Sequence, residues 1–280
     1  MIPKIIHYVW MGGKELPDYA KKNIETWKKH NPDYEIREWN ESNFDINISR
    51  YAAEAYVAKK WGFAGDIVRL YALYNFGGIY LDVDVECLKS FDCLLHNSAV
   101  ICFEGKYHFS NAILMSEKGN PLFGYFLKQY DNRSFKSNDK YLWGFGLDLT
   151  SGPAIMTPAF MQYYKKHFIK NGNYKFTDVT VLPKDYFSPD VFSCVDDHYK
   201  CITENTVTIH HFDGSWKVKQ PLLLTKMQKL KIKLRFIIAF KLVRLLGNKR
   251  FLKLEQSAYE LTHRYDKINR EKNRKNVSTW

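Results

Sequence analysis

The run Asn75-Phe76-Gly77-Gly78-Ile79-Tyr80-Leu81-Asp82-Val83-Asp84 constrains the fold more than any other part of the chain. A helical pattern that resumes at Asp66 is stopped by two glycines, and the residues that follow are β-rich, so a helix feeds directly into a strand. A buried strand normally rejects acidic residues, because a desolvated carboxylate is costly unless paired or bound to a cation. Two aspartates at i and i+2 point the same way along a strand, and at a strand end both can reach one ion. Hard cations such as Mn²⁺ and Mg²⁺ take carboxylates, and a diphosphate completes their shell. A short Asp-x-Asp also arises by chance as a solvated turn, so its surroundings decide.

Those surroundings alternate. Ile5–Val9 reads as a strand closed by Gly12-Gly13, and residues 17–30 carry Tyr19, Ile24 and Trp27 at helical spacing. Tyr34–Trp39 alternates as a second strand, and residues 49–75 are helical, broken near Gly62 and resumed from Asp66. Ile79–Val85 and Ala99–Phe103 are further strands, and Asn120-Pro121 opens a helix to about Tyr130. This rhythm predicts an α/β domain with a mostly parallel central sheet.

Charge divides the chain at residue 216. Residues 217–280 hold 18 of the 42 Lys/Arg but 4 of the 30 Asp/Glu, a net of +14, which leaves residues 1–216 at −2. A near-neutral body removes the electrostatic argument for nucleic acid as partner. The basic segment reads as a helical tail, with Met227, Leu230, Leu234, Ile237 and Ile238 at helical spacing among lysines. It suits an anionic membrane surface, or a helix packed on the body with its basic face in water. No stretch has the length of a membrane span. The five cysteines are odd in number and lack a close Cys-x-x-Cys, so free thiols in a reducing, cytosolic compartment are expected, with peripheral attachment to the inner membrane face as an option. The amino terminus enters strand-like sequence directly, without a signal-like segment.

The string Gly65-Asp66-Ile-Val-Arg69 through Gly77-Gly78-Ile-Tyr-Leu-Asp82-Val-Asp84 resembles the sugar-binding region of glycosyltransferase family 32. Ile2–Trp10 is similar to that family's first strand, and Ser151-Gly152-Pro153 and His210–Trp216 to its later landmarks. The likeness covers about residues 1–216. It implies a GT-A type nucleotide-binding sandwich, a divalent metal, a nucleotide-sugar donor with UDP favoured, and retention of anomeric configuration. The moiety moved would be a hexose or N-acetylhexosamine.

Residue roles follow by two routes. Asp66 and Arg69, at i and i+3 on a helix, form at least an ion pair, and the family pattern, shared with related glucosylating toxins, sets them against hydroxyls of the donor sugar. Trp10 follows the first strand, at the sheet edge where nucleotides bind in open α/β folds, and is either a base-stacking platform or a core residue. His7 and Tyr8 share that locus. A histidine beside the turn at Gly214 is a candidate third ligand for the metal. The His-Phe-x-Gly pattern, similar to one in glycosyltransferase family 8, points to His211, with His210 the lesser candidate; an imidazole would tilt the choice toward Mn²⁺. Gly214, Ser215 and Trp216 are expected at the departing diphosphate. Glu104, Asn111 and Asp148 are candidates on the acceptor side.

The expected activity is therefore metal-dependent sugar transfer, by Asp66, Arg69, Asp82 and Asp84, to a saccharide or lipid-linked oligosaccharide in surface polysaccharide synthesis of the capsule or lipopolysaccharide kind. A toxin-like protein glycosyltransferase, or an inactive membrane- or polyanion-binding adaptor, are the alternatives. The intact aspartate pair argues against the adaptor.

Overall fold

A computed structural model describes residues 1–136, 147–166, 169–189 and 198–212. Gly214, Ser215, Trp216 and the basic segment 217–280 lie outside the described residues.

Nine strands and five α-helices follow in chain order among the described residues. β1 (Ile5–Val9), α1 (Asp18–His30) and β2 (Glu35–Trp39) form the first unit. α2 (Arg50–Val57), α3 (Trp61–Phe76), β3 (Gly78–Leu81) and β4 (Val85–Cys87) follow. Then come β5 (Ala99–Cys102), β6 (Ile113–Ser116), α4 (Pro121–Lys128), α5 (Gly152–Tyr163), β7 (Tyr174–Lys175), β8 (Thr180–Leu182) and β9 (Thr208–His210). Seven strands make the central sheet in the order β2-β1-β3-β6-β5-β8-β7. β1 runs parallel to β2 and β3, and β5 parallel to β8, while β6 is antiparallel to both β3 and β5 and β7 is antiparallel to β8. Five strands thus share one direction and two oppose it, which is the mixed α/β architecture with a mostly parallel sheet.

Strand alternation builds two cores from one sheet. Tyr80, Leu114, Ile101 and Val181 join the cluster under α2, α3, α4 and α5. Ile79, Leu81, Ile113, Met115, Val100 and Leu182 face the other way, toward Ile24 and Trp27 of α1. On α1 the buried positions are Ala20, Ile24 and Trp27, so Ala20 replaces Tyr19, which is 37% exposed. Asp18 in its first turn and Lys28, Lys29 and His30 in its last complement the helix dipole. α4 starts as expected, with the Asn120 side chain accepting from Leu122 N–H and Pro121 in the first turn.

Two expectations are corrected. The break expected near Gly62, with the helix resuming from Asp66, falls earlier: α2 ends at Val57 and α3 runs from Trp61 to Phe76, with Gly62 and Gly65 inside it. This helix carries Gly65 against the sheet, where a Cβ would stand 3.5 Å from Val9 Cγ1. The strand expected over 79–85 ends at Leu81, because the Val85 N–H closes a turn onto Asp82 O at 3.0 Å and β4 leaves to pair with β9. The helix-to-strand joint itself is tight: Gly78, at φ +105°, leaves 2.5 Å between a would-be Cβ and Ile5 O.

The thiol expectation also changes. Cys87, Cys93 and Cys102 are free, but Cys201 is disulfide-bonded, so the argument from five free thiols to a reducing compartment does not hold. Among the described residues no helix is long and apolar enough to cross a membrane.

Candidate active site

Parallel strands deliver their carboxyl ends to one edge of the sheet. Trp10 follows β1, Asp82 follows β3 and Glu104 lies just beyond β5. β6 runs the other way, so its beginning lies at that same edge: Leu81 is opposite Ile113, and Asp82 N–H donates to Ala112 O at 2.8 Å. Asn111 is brought to the site by this reversal.

Arg69 is the hub. Its side chain, 6% exposed, sits 3.2 Å from Asp66 Oδ1 and 3.1 Å from Asp82 Oδ1. It also donates to Asn111 O, and its guanidinium lies over the Tyr80 ring, 4.5 Å from the centroid. Tyr80 donates its hydroxyl to Asp82 Oδ1 at 2.8 Å. Asn111 Nδ2 donates to Asp66 Oδ1 at 3.0 Å, and the amino-terminal residue of α5, Gly152, presses on both. The helical ion pair foreseen for Asp66 and Arg69 is therefore one side of a buried network that ends on Asp82. Burial pushes the Asp66 carboxyl up to about 7, with the Asp82 charge adding to it and Arg69 and Asn111 opposing it. The Asp82 carboxyl is also raised, by burial and by the neighbouring Asp84 charge, against the pull of Arg69. For Arg69, burial opposes the charge but Asp82, Tyr80 and Asp66 outweigh it.

The β4–β9 pairing supplies a histidine. Val85 lies opposite His210, which puts His210 Nε2 3.4 Å from Asp84 Oδ1. The neighbouring His211 turns instead to Glu86, with Nε2 3.1 Å from Oε2. Adjacent residues leaving a strand face opposite ways, so one of the two must point away. The structure thus brings His210, and not His211, to the aspartates. Phe212 follows in a left-handed conformation, φ +54°, with its ring 3.9 Å from the His210 ring, centroid to centroid.

Asp82, Asp84 and His210 each offer one ligand atom, and the three atoms lie within 4.8 Å of one another. The chemistry fits a divalent cation on two further counts. The Asp84 charge adds to burial in raising the Asp82 carboxyl, a repulsion that a cation relieves. His210 Nδ1 is buried with no hydrogen-bond partner among the described residues. Burial opposes protonation of His210, but the Asp84 carboxylate outweighs it and raises the imidazole.

The other sequence candidates fall at different distances from this centre. Trp10 is half-buried at the site edge, its indole N–H given to Lys14 O at 2.6 Å, so only its faces remain for stacking. His7 is fully buried between Gly77 O, 2.7 Å from Nε2, and the Trp39 N–H, 3.1 Å from Nδ1. Both ring nitrogens are thus occupied in the joint between β1 and α3. Tyr8 packs on the α1 face and donates to Glu38 at 2.6 Å. Glu104 adds its charge to those that raise His210. Asp148 takes the Arg133 side chain at 2.5 Å and caps Thr150 N–H at 3.1 Å. Tyr80 and Gly152 were not foreseen as site residues. Tyr80 was available from period two, since it shares a face with Asp82; Gly152 stood in the Ser151-Gly152-Pro153 landmark, but its long-range place beside Asn111 and Asp66 could not be read locally.

Residues 17–101 match the family described as glycosyltransferase sugar-binding region containing DXD motif. The resemblance read from the sequence is thereby borne out, and Asp82-Val83-Asp84 is the only Asp-x-Asp in the matched span. The chain is 30% identical over 149 residues to inositol phosphoceramide mannosyltransferase 3 of Schizosaccharomyces pombe, covering 50% of this chain and 40% of that protein. It is 26% identical over 199 residues to mannosyl phosphorylinositol ceramide synthase SUR1 of Saccharomyces cerevisiae, covering 69% and 49%. The initiation-specific alpha-1,6-mannosyltransferase of Candida albicans is 26% identical over 281 residues, covering 77% of this chain and 72% of that one. The chain spans about half the length of the first curated relatives it matches. Among solved structures, the PaToxG glycosyltransferase aligns with a TM-score of 0.47 at 22% identity, covering 59% of this chain and 70% of that chain.

Proposed function

We propose that this protein is a divalent-metal-dependent glycosyltransferase that moves a hexosyl group from a nucleotide-sugar to a saccharide or lipid-linked acceptor. One observation carries the proposal: two aspartates and a histidine converge at the carboxyl edge of a mostly parallel sheet, beside a buried Asp66–Arg69 pair. Ligands in open α/β sheets bind at that edge. Mannose is the first donor sugar to test, because the similar yeast proteins are named for it.

Asp82, Asp84 and His210 would hold the cation, and Mn²⁺ suits a mixed carboxylate–imidazole set. When bound, it supplies Lewis-acid stabilisation of the negative charge that develops on the departing diphosphate. The protein's own part is positional. Arg69, clamped by Asp66, Asn111 and Tyr80, fixes the Asp82 carboxylate. Asp66 and Arg69 also present an acceptor and donors at spacing suited to vicinal sugar hydroxyls, and Trp10 offers a ring face for the base. No side chain among the described residues is assigned as nucleophile, which accords with front-face transfer and retained configuration. A role in capsule or lipopolysaccharide assembly is the wider setting we propose.

The test uses a panel of nucleotide-sugars with Mn²⁺, followed by thermal shift, where a ligand at 100 times its Kd adds about 2.7 kcal/mol. The donor so found is then supplied to the wild type and to Asp84→Asn in an assay of sugar release and transfer. The expected result is metal-dependent turnover in the wild type and its loss, by about a thousandfold, in the variant. Turnover that survives Asp84→Asn or exhaustive chelation refutes the proposal.

A further inference from the structure

The aspartate turn is held from behind by a helix in an unusual way. β4 pairs along one edge with β9. Its other edge is met by side chains of α1. Asn23 Nδ2 donates to Val83 O at 2.9 Å, Trp27 Nε1 donates to Val85 O at 2.7 Å, and Thr26 Oγ accepts from Cys87 N–H at 3.0 Å. The two periods match. Four residues of helix advance about 6 Å and two residues of strand about 6.6 Å, so side chains at i and i+4 of a helix meet alternate carbonyls of an extended chain. α1 therefore stands in for a missing edge strand, and satisfies backbone groups that would otherwise be left unpaired.

These three contacts differ in kind. Trp27 is fully buried and packs with Tyr8, so it belongs to the core. Thr26 also bonds back to Asn23 O at 2.6 Å within its own helix. Asn23 is only half-buried, and its bond lands on the carbonyl of Val83, the residue between the two aspartates. That carbonyl is part of the peptide between Val83 and Asp84, so its orientation sets how the Asp84 carboxylate is aimed relative to that of Asp82.

We propose that Asn23 is a positioning residue for the cation site, holding the Val83 peptide so that the Asp82 and Asp84 carboxylates converge. The inference rests on the metal reading of that pair. A long-range bond, spanning 60 residues, adds to the Val85-to-Asp82 contact that closes the turn from within. Asp82 N–H on Ala112 O and His211 N–H on Asp84 O hold the two flanks; without Asn23 the Val83 carbonyl between them loses its anchor on α1, and the carboxylates lose their common focus. The effect falls on the ligand geometry and spares the core.

Mn²⁺ binding to the full chain, followed by the loss of the free-ion electron paramagnetic resonance signal, tests this without any need for turnover. Wild type, Asn23→Ala, Asn23→Leu and Asp84→Asn are titrated, and each is melted in excess chelator. The expected result is Mn²⁺ affinity weakened about tenfold in both Asn23 variants, with metal-free melting close to wild type. If Asp84→Asn abolishes binding while both Asn23 variants bind as wild type, the positioning role is refuted and the metal reading stands. If Asp84→Asn binds as wild type, or the wild type does not bind, the metal reading itself falls and this inference with it. If both Asn23 variants lose their cooperative melt, Asn23 is a general structural residue and the proposal is wrong.

Discussion

Gly152→Ala probes the site from an unexpected side. Gly152 opens α5, and a Cβ there would stand 1.9 Å from Asn111 Nδ2 and 3.1 Å from Asp66 Oδ1. No atoms approach to 1.9 Å, so something must move, and the amide at the end of the Asn111 side chain moves at least cost. It swings off Asp66 and breaks the 3.0 Å bond to that carboxylate. A hydrogen bond to a charged group is worth about 1.5–3 kcal/mol, and the helix gains back less than about 1 kcal/mol from replacing glycine at its first position. The net is roughly 1–2 kcal/mol of destabilisation, or about 2–8 °C in Tm. Activity should suffer more, because Asp66 is the carboxylate assigned to the donor sugar. A displaced ligand costing about 1.5–3 kcal/mol at the transition state lowers kcat/KM roughly ten- to a hundredfold. The assay compares kcat/KM for the full donor with calorimetric binding of the bare nucleoside diphosphate, which should hardly change. Asn111→Ala provides the control: with the amide gone there is room for the methyl, so adding Gly152→Ala to it should cost little more. Wild-type kinetics and melting in Gly152→Ala, or full additivity with Asn111→Ala, would refute the steric argument.

Three further outcomes follow from the buried groups. Burial lowers the His7 imidazole to about 4 from its ordinary 6.5, so the unfolded chain binds a proton that the native state refuses. Stability is therefore lost as pH falls from 6.5 toward 4, by up to about 3 kcal/mol. Asp66, raised in the native state, works in the opposite direction over an overlapping range, so the measurement is the difference between wild type and His7→Gln in melts at pH 7 and 4.5; parallel pH dependence would count against His7. Gly78→Ala places a methyl 2.5 Å from Ile5 O at φ +105° and should cost several kcal/mol, about 3 or more, in a denaturant titration. Arg69→Met leaves Asp66 and Asp82 without their shared countercharge and should destabilise by about 3–5 kcal/mol; a variant as stable as wild type would show that both carboxyls are already neutral.

The sequence was most legible where local pattern and tertiary role coincide. α1, β2 and α4 fell within a residue or two of expectation, since a capped amphipathic helix or an alternating strand carries its own period. The break expected near Gly62 falls at 58–60 instead, because burial of residues 63–70 against the sheet overrides the low helix propensity of Gly62 and Gly65. β6, three apolar residues and a serine without a flanking motif, has no period that distinguishes it, and its reversed direction is set only by its neighbours. Asp66, Arg69, Asp82 and Asp84 stood out because acids and a guanidinium are costly in apolar sequence. The choice between His210 and His211 was not legible: it depends on the register of β9 on β4, strands more than a hundred residues apart. His7 shows the opposite limit, since a buried histidine satisfied at both nitrogens looks in sequence like one awaiting a ligand.

The reversed strand has a consequence for how such a protein can be altered. β5 ends and β6 begins at the same margin of the sheet, and the connection between them is pinned at its base by the Phe103–Phe109 bridge and by Ser110 N–H on Cys102 O at 2.8 Å. Residues 104–108 therefore form a loop closed at its base and tied by Lys106 O, which accepts from Asn171 N–H at 2.9 Å. Lengthening it costs little in closure entropy, about 0.6 kcal/mol for each doubling of length. The Asn111 carbonyl that receives Arg69 stays below the anchor. A library confined to this loop, with the Lys106 tie to Asn171 kept, would vary the side chains that Glu104 and its neighbours set near His210.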